Sequence, residues 1–226
     1  LVSNATDGTQ ANDGSDLPSI SADGRYIAFR SSASNLVAGD TNGVDDVFLR
    51  DTTTGATTRV SVATDGTQGN DFPSGAPSIS ADGRSVAFGS RASNLVAGDT
   101  NFYGDVFVHD TATGTTTRVS VATDGAQANS ASYSPSISAD GRYVAFESNA
   151  SNLVAGDTNT TVDVFVHDTA TGVTTRVSTA TDGAQANDYS VDPSISADGG
   201  SIAFESQASN LVAGDTNGQG DVFVHD

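Results

Sequence analysis

Residues 135–178 read PSISADGRYVAFESNASNLVAGDTNTTVDVFVHDTATGVTTRVS, and the same text, lightly edited, occurs four times in the 226-residue chain. Its marker Ser-Ile-Ser-Ala-Asp-Gly begins at Ser19, Ser78, Ser136 and Ser194, a period of 59, 58 and 58 residues. A fixed period of this size makes the chain an array of one supersecondary unit. Residues 1–226 are therefore expected to form one domain, with repeats near 17–63, 76–122, 134–180 and 192–226, the last joined by 1–5.

Turn signals divide each copy into four. In the first copy, Pro18 to Ser21 is a short strand, and Ala22-Asp23-Gly24-Arg25 is a tight turn in which Asp-Gly supplies the positive φ. Tyr26 to Ser32 and Asp46 to Asp51 alternate aromatic and β-branched residues and read as strands. A long loop, Ala33 to Val44, joins them. A Thr-Thr-Thr-Gly turn then leads into a fourth strand, Ala56 to Ala63. No segment has a 3.6-residue apolar period, so no helix is expected. Short meanders cannot bury their own faces, but stacked copies can. Four-stranded units repeated radially make a β-propeller, here an all-β fold of four four-stranded antiparallel blades. The last copy stops at Asp226 after its third strand, and Leu1 to Ala5 matches the end of a fourth strand, Arg59 to Ala63. The N-terminal strand is therefore expected to complete the last blade. The closure is either a ring of one chain or a strand-exchanged dimer with eight blades.

The repeat text has a familiar form. Pro-Ser-Ile-Ser-Ala-Asp-Gly-Arg-Tyr-Val-Ala-Phe, then Asp-Val-Phe-Val-His-Asp, then Thr-Gly-Val-Thr-Thr-Arg-Val-Ser resembles the TolB-type (WD-like) β-propeller repeat across all four copies. The resemblance implies a propeller that serves as a binding scaffold in the bacterial envelope or in secreted proteins. It implies no single chemistry, since function belongs to the site and not the fold.

Composition narrows the partners. The net charge is −19, with nine Arg and no Lys. Such a surface repels nucleic acid and favours cations or basic partners. No cysteine is present, so disulfides and thiol chemistry are out. No apolar run approaches the length of a membrane span. With no Met at Leu1 and no visible signal peptide, the sequence reads as a mature chain or an excised segment from an extracellular or envelope setting.

In a meander the two short turns share one rim and the two long loops the other. Most differences between copies fall on the long-loop rim, where binding is expected. A protein or a glycan would dock there, with Phe102, Tyr103, Tyr133 and Tyr189 as stacking residues. Each loop between the second and third strands also carries Asp-Thr-Asn-x-x-x-Asp: Asp40, Asn42 and Asp46; Asp99, Asn101 and Asp105; Asp157, Asn159 and Asp163; Asp215, Asn217 and Asp221. Oxygens at the first, third and seventh positions of a loop suit Ca²⁺. Asp7, Asp65, Asp124 and Asp182 could add a ligand. Two charges from each of four ions would bring −19 to −11. The alternative is that these side chains cap turns.

Other polar residues read as structural. Asp23, Asp82, Asp140 and Asp198 belong to turns. His109, His167 and His225 share a repeat position with Arg50 and are expected to donate hydrogen bonds. Glu147 and Glu205 stand where Arg30 and Gly89 stand in other copies and do not read as a glycosidase pair. The chain is expected to be a non-enzymatic, calcium-stabilised scaffold or adhesion module. A lectin-like ligand binder, a hydrolase or lyase, and a consensus-designed propeller without a native ligand are the alternatives.

Overall fold

The computed structural model describes residues 1–226 and contains only strands, turns and loops. Strands β1 (Ser15–Ile20), β2 (Tyr26–Ser31), β3 (Asp46–Asp51) and β4 (Thr57–Arg59) pair in that order as one antiparallel sheet. The unit recurs as β5 (Pro73–Ile79) to β8 (Thr115–Arg118) and as β9 (Ser132–Ile137) to β12 (Val173–Arg176). The fourth sheet has three strands, β13 (Ser190–Ile195), β14 (Ile202–Ser206) and β15 (Asp221–His225).

The Asp-Gly turns form as read. Ser21 Oγ donates to Asp23, Asp23 accepts from the Arg25 N–H, and Gly24 holds φ at 74°. Two boundaries differ from expectation. The first strand begins before its proline and is bulged, with Leu17, Ser134 and Asp192 at φ of 50°, 50° and 53° and Gly75 in their place in the second copy. Proline has no N–H to give to a ladder, and the bulge accommodates it. The fourth strand ends at Arg59, because the following residues leave the sheet edge and cross to the next blade.

That crossing builds the core. Within each blade two phenylalanines stack from the middle strands, Phe29 on Phe48 and Phe88 on Phe107, with centroids 5.9 Å apart. Between blades, Val47, Leu49 and Val60 of the first meet Ile79, Val86, Phe88 and Leu95 of the second. The third blade packs on the second, and the fourth on the third, with equivalent residues. A ladder of turn amides joins the blades: Ala22 N–H to Ala81 O, Ala81 to Ala139, and Ala139 to Ala197, at 2.9–3.1 Å.

The expected closure is not shown: the last sheet has three strands, and the outer faces of the first and fourth blades are exposed. Ile20 is 62% exposed, whereas Ile79 and Ile137, its equivalents, are buried. Val222 is 79% exposed, whereas Val47, Val106 and Val164 are buried. Leu1 to Ala5 lies on the first blade, with Val2 packed against the Ile27, Phe29 and Phe48 cluster. It takes the place that Val60 takes on the second blade. The segment is thus seated as the end of a preceding blade would be, but the fourth blade is not beside it and keeps three strands.

Candidate binding rim and acidic loop sites

The two rims separate as the meander requires. On the short-turn rim, Arg25 pairs with Asp51 through two hydrogen bonds of 3.0 and 2.7 Å, and Arg142 pairs with Asp168 likewise. The guanidinium beside each holds the Asp51 and Asp168 carboxyls well below the usual range. On the opposite rim the two long loops are clamped together. Asn12 Nδ2 donates to Ser34 Oγ, and Asn35 Oδ1 accepts from the Asn12 N–H. Asn70 with Asn94, Asn129 with Asn152, and Asn187 with Asn210 repeat this clamp.

Under this rim lie the Asp-x-Asn-x-x-x-Asp loops. Asp40 and Asp46 do converge, but on a guanidinium. Arg59 Nη1, from β4, sits 3.1 Å from Asp40 and 2.8 Å from Asp46. Asp46 is buried and accepts a 2.6 Å hydrogen bond from Ser61 Oγ. Asn42 turns its Nδ2 donor towards Asp46 and Gly69 O, while its oxygen accepts from the Val44 N–H of its own loop. The amide oxygen expected to face a cation therefore faces away.

The second and third copies keep the plan with looser ion pairs. Arg118 Nη1 is 3.5 Å from Asp99 and 3.3 Å from Asp105. Arg176 Nη1 is 3.5 Å from Asp157 and 3.8 Å from Asp163. Glutamine amides take up the slack: Gln127 donates to Asp99, and Gln185 donates to both Asp157 and Asp163. Asn101 and Asn159 again give their nitrogen to the carboxylate. Burial pushes the Asp40, Asp99, Asp105 and Asp163 carboxyls up. In the fourth copy Asn217 donates to Asp221, and no arginine follows in the sequence. Asp7 and Asp65, considered as extra ligands, instead accept from Thr9 and Thr67 in their own turns, as Asp124 and Asp182 do from Ala126 and Ala184. Nowhere do three or more His, Asp or Glu side chains converge as a metal-holding group.

The residues missed by sequence reasoning are Arg59, Arg118 and Arg176, with Ser61, Ser120 and Ser178. A signal was available, since each arginine follows the last aspartate of its loop by 13 residues.

His109 and His167 are buried donors, as their exchange with Arg50 suggested. Thr116 Oγ1 gives its proton to Val62 O, so it accepts from His109 Nδ1, just as Thr57 Oγ1 accepts from Arg50. Burial lowers both histidine pKa values. Glu147 accepts from Ser134 Oγ and from the Asp192 N–H, which ties the third blade to the fourth. Gly89 holds the same position in the second blade because Ser74 Oγ lies 2.5 Å from where a Cβ would stand.

Exposed aromatic residues gather on the long-loop rim of the second copy. Phe102 is 91% exposed and holds φ at 62°. Gly43 and Gly218 occupy that position in the first and fourth copies, and Thr160 in the third. Tyr103 and Phe72 are also exposed, and Arg91 stacks on the Phe72 ring at 5.6 Å. Gly104 packs between Arg91 and Tyr133, so these side chains form one neighbourhood.

The architecture has solved counterparts. TolB from Acinetobacter baumannii matches 95% of this chain with a TM-score of 0.55 at 20% identity. The fold is that of a TolB-type β-propeller. The propeller domain of the Trilobed protease from Pyrococcus furiosus, described as having an open velcro topology, matches 95% with a TM-score of 0.53 at 11% identity. An acylaminoacyl peptidase of Pyrococcus horikoshii matches 95% with a TM-score of 0.52 at 13% identity. The present TolB-type array spans 41%, 55% and 31% of those three chains. No family profile and no curated protein matches the sequence. At these identities the likeness establishes the fold alone.

Proposed function

We propose that this chain is a non-enzymatic binding module of an extracellular or envelope protein, and that it presents the long-loop rim of its second blade to a protein partner. The observation that carries this reading is Phe102, an aromatic side chain 91% exposed on a left-handed backbone that two sibling copies give to glycine. Strain of this kind costs about 1–3 kcal/mol and is characteristic of binding sites. Exposed aromatics beside an arginine are the composition of interface anchors. The polar clusters elsewhere close on themselves as repeated structural bonds, the same in copy after copy.

In the same reading, Arg59, Arg118 and Arg176 hold the place that the sequence suggested for Ca²⁺. A guanidinium between two carboxylates supplies the positive charge, and the loops are structural props beneath the rim.

The test is site-specific photo-crosslinking in an envelope or culture extract, with benzoylphenylalanine at position 102 or at position 173 on the opposite rim. A discrete adduct from position 102, competed by unlabelled protein and lost with Tyr103→Ala, is the expected result. Equal labelling from both positions would refute it. Binding on a glycan array lost with Tyr103→Ala would move the assignment to the lectin-like alternative.

A further inference from the structure

The chain has nine arginines against 28 acidic residues, and all but one have their guanidinium on a carboxylate or a backbone carbonyl. The exception is Arg91. It is exposed, and its guanidinium lies over the Phe72 ring, 5.6 Å from the centroid, with no ion pair and no hydrogen bond.

The neighbouring positions explain why it is free. In the first copy Ser32 stands where Arg91 stands, and its Oγ donates to Asp45. Arg30 of that blade pairs with Asp16 and lies 3.7 Å from Asp45. The second copy has Gly104 in place of Asp45, Ser74 in place of Asp16 and Gly89 in place of Arg30. Both acids that could neutralise a cation here are gone, and a cation has been added. The ring beneath it is particular to this blade too. The Arg91 N–H donates to Phe72 O, where the first and third copies have Gly14 O and Ala131 O.

We propose that Arg91 anchors a carboxylate of the protein partner, while an apolar side chain beside that carboxylate packs on Phe102 and Tyr103. The inference rests on the assignment of this rim as the binding surface and adds what the surface recognises. Stacking on Phe72 occupies the face of the guanidinium and leaves its edge donors for a bidentate pair with a carboxylate. A carboxylate suits the site better than a phosphate. One cation stands in a chain of net charge −19, which repels a second negative charge. The carboxylate belongs to the partner's C terminus or to one of its Asp or Glu side chains.

The test is binding of the full chain to an array of short random peptides. Each is printed with a free C terminus, with an amidated C terminus, and with Asn and Gln in place of Asp and Glu. The expected hits join a carboxylate to an aromatic or aliphatic residue and are lost in one neutralised form, which tells terminus from side chain. Their affinity should fall at least about tenfold with Arg91→Gln, as for loss of a hydrogen bond to a charged group. Gly104→Asp should have the same effect while leaving the arginine in place. A Cβ there meets Arg91 Cγ and Tyr133 Cε1 at 3.7 Å, an ordinary contact, and the new carboxylate restores the acid that Asp45 supplies in the first copy. Arg91→Lys keeps the charge without the fork and should fall between. Unchanged circular dichroism spectra check that the variants are folded.

Hits that survive both neutralised forms, or that Arg91→Gln binds as well as the wild type does, would overturn the proposal. So would a wild type that binds no peptide. An adduct from position 102 that persists with Arg91→Gln would leave the rim as the binding surface and remove only the carboxylate. The loss of any discrete adduct would remove the rim itself. Arg91-dependent binding to acidic glycans in place of peptides would overturn the assignment to a protein carboxylate.

Discussion

The first and fourth acidic loops carry the same Asp-Thr-Asn-Gly text, yet they are different sites. In the first, Arg59 from β4 stands between Asp40 and Asp46, Ser61 closes the remaining oxygen, and the carboxylates are buried. In the fourth no arginine stands beside the carboxylates, Asn217 is exposed, and Asp221 is half-buried with one asparagine donor. A loop motif alone does not define its chemistry. The partner comes from a strand 13 residues away, outside the motif itself.

Predictions that separate the two loops run from large effects to small. Arg59→Ala leaves two buried carboxylates without a counter-charge. It should cost about 3–5 kcal/mol in urea unfolding, the usual result of removing one partner of a buried pair. Arg118→Ala should cost less, and Arg176→Ala least, as the ion-pair distances lengthen and glutamines take over. A reversed order would break the comparison. Ser120→Ala strips a bond from Asp105 and another from the Val106 N–H, and should cost about 1–3 kcal/mol. Phe102→Gly should stabilise the fold by about 1 kcal/mol by removing left-handed strain, while the unlabelled variant should no longer compete for the adduct formed from position 102. Asp221→Asn, in the loop without an arginine, should change stability by no more than about 0.5 kcal/mol.

Acid sharpens the same contrast. Burial raises the Asp105 and Asp163 pKa values above the unfolded value, so their protonation favours the folded state. Stability from these groups is present below the unfolded carboxylate pKa and is lost as pH rises through the raised folded values. Asp51 and Asp168 behave oppositely, since their lowered values make stability fall once pH drops below the ordinary carboxylate range. The buried His109 and His167, whose pKa values burial lowers, cost stability as pH falls through the ordinary imidazole range, so the carboxylate contrast is read with both replaced by glutamine: on that background urea midpoints should rise on mild acidification from neutrality, then fall in stronger acid. Asp105→Asn should flatten the rising part.

Much of this was legible in the sequence. The Ser-Ile-Ser-Ala-Asp-Gly period gave the number of blades, and alternation placed β3 at its observed ends and β2 one residue too long. Both signals are local. The end of β4 at Arg59 was not legible, because Val60 and Ser61 are as strand-like as their neighbours and leave the edge only when the next blade offers Val86 and Phe88. Closure was not legible for a related reason. Leu1 to Ala5 carries the right residues for the seat it takes, but no text encodes how far each blade turns from the last. Asp40 and Asp46 lie together on Arg59. Their partner was missed because the motif ends at Asp46, whereas Arg59 comes from the next strand.

The central claim is that arginine, and not a bound ion, closes the acidic loops of the first three blades. Thermal unfolding of Asp221→Asn in excess EDTA, and then in millimolar Ca²⁺, tests it with the arginine-free loop out of play. The account predicts midpoints within about 1 °C of each other. A site filled at a hundredfold excess over its Kd would add about 2.7 kcal/mol, or roughly 5–10 °C for a chain of this length. A calcium-specific rise of that size would show that the ion enters between the carboxylates and displaces the guanidinium.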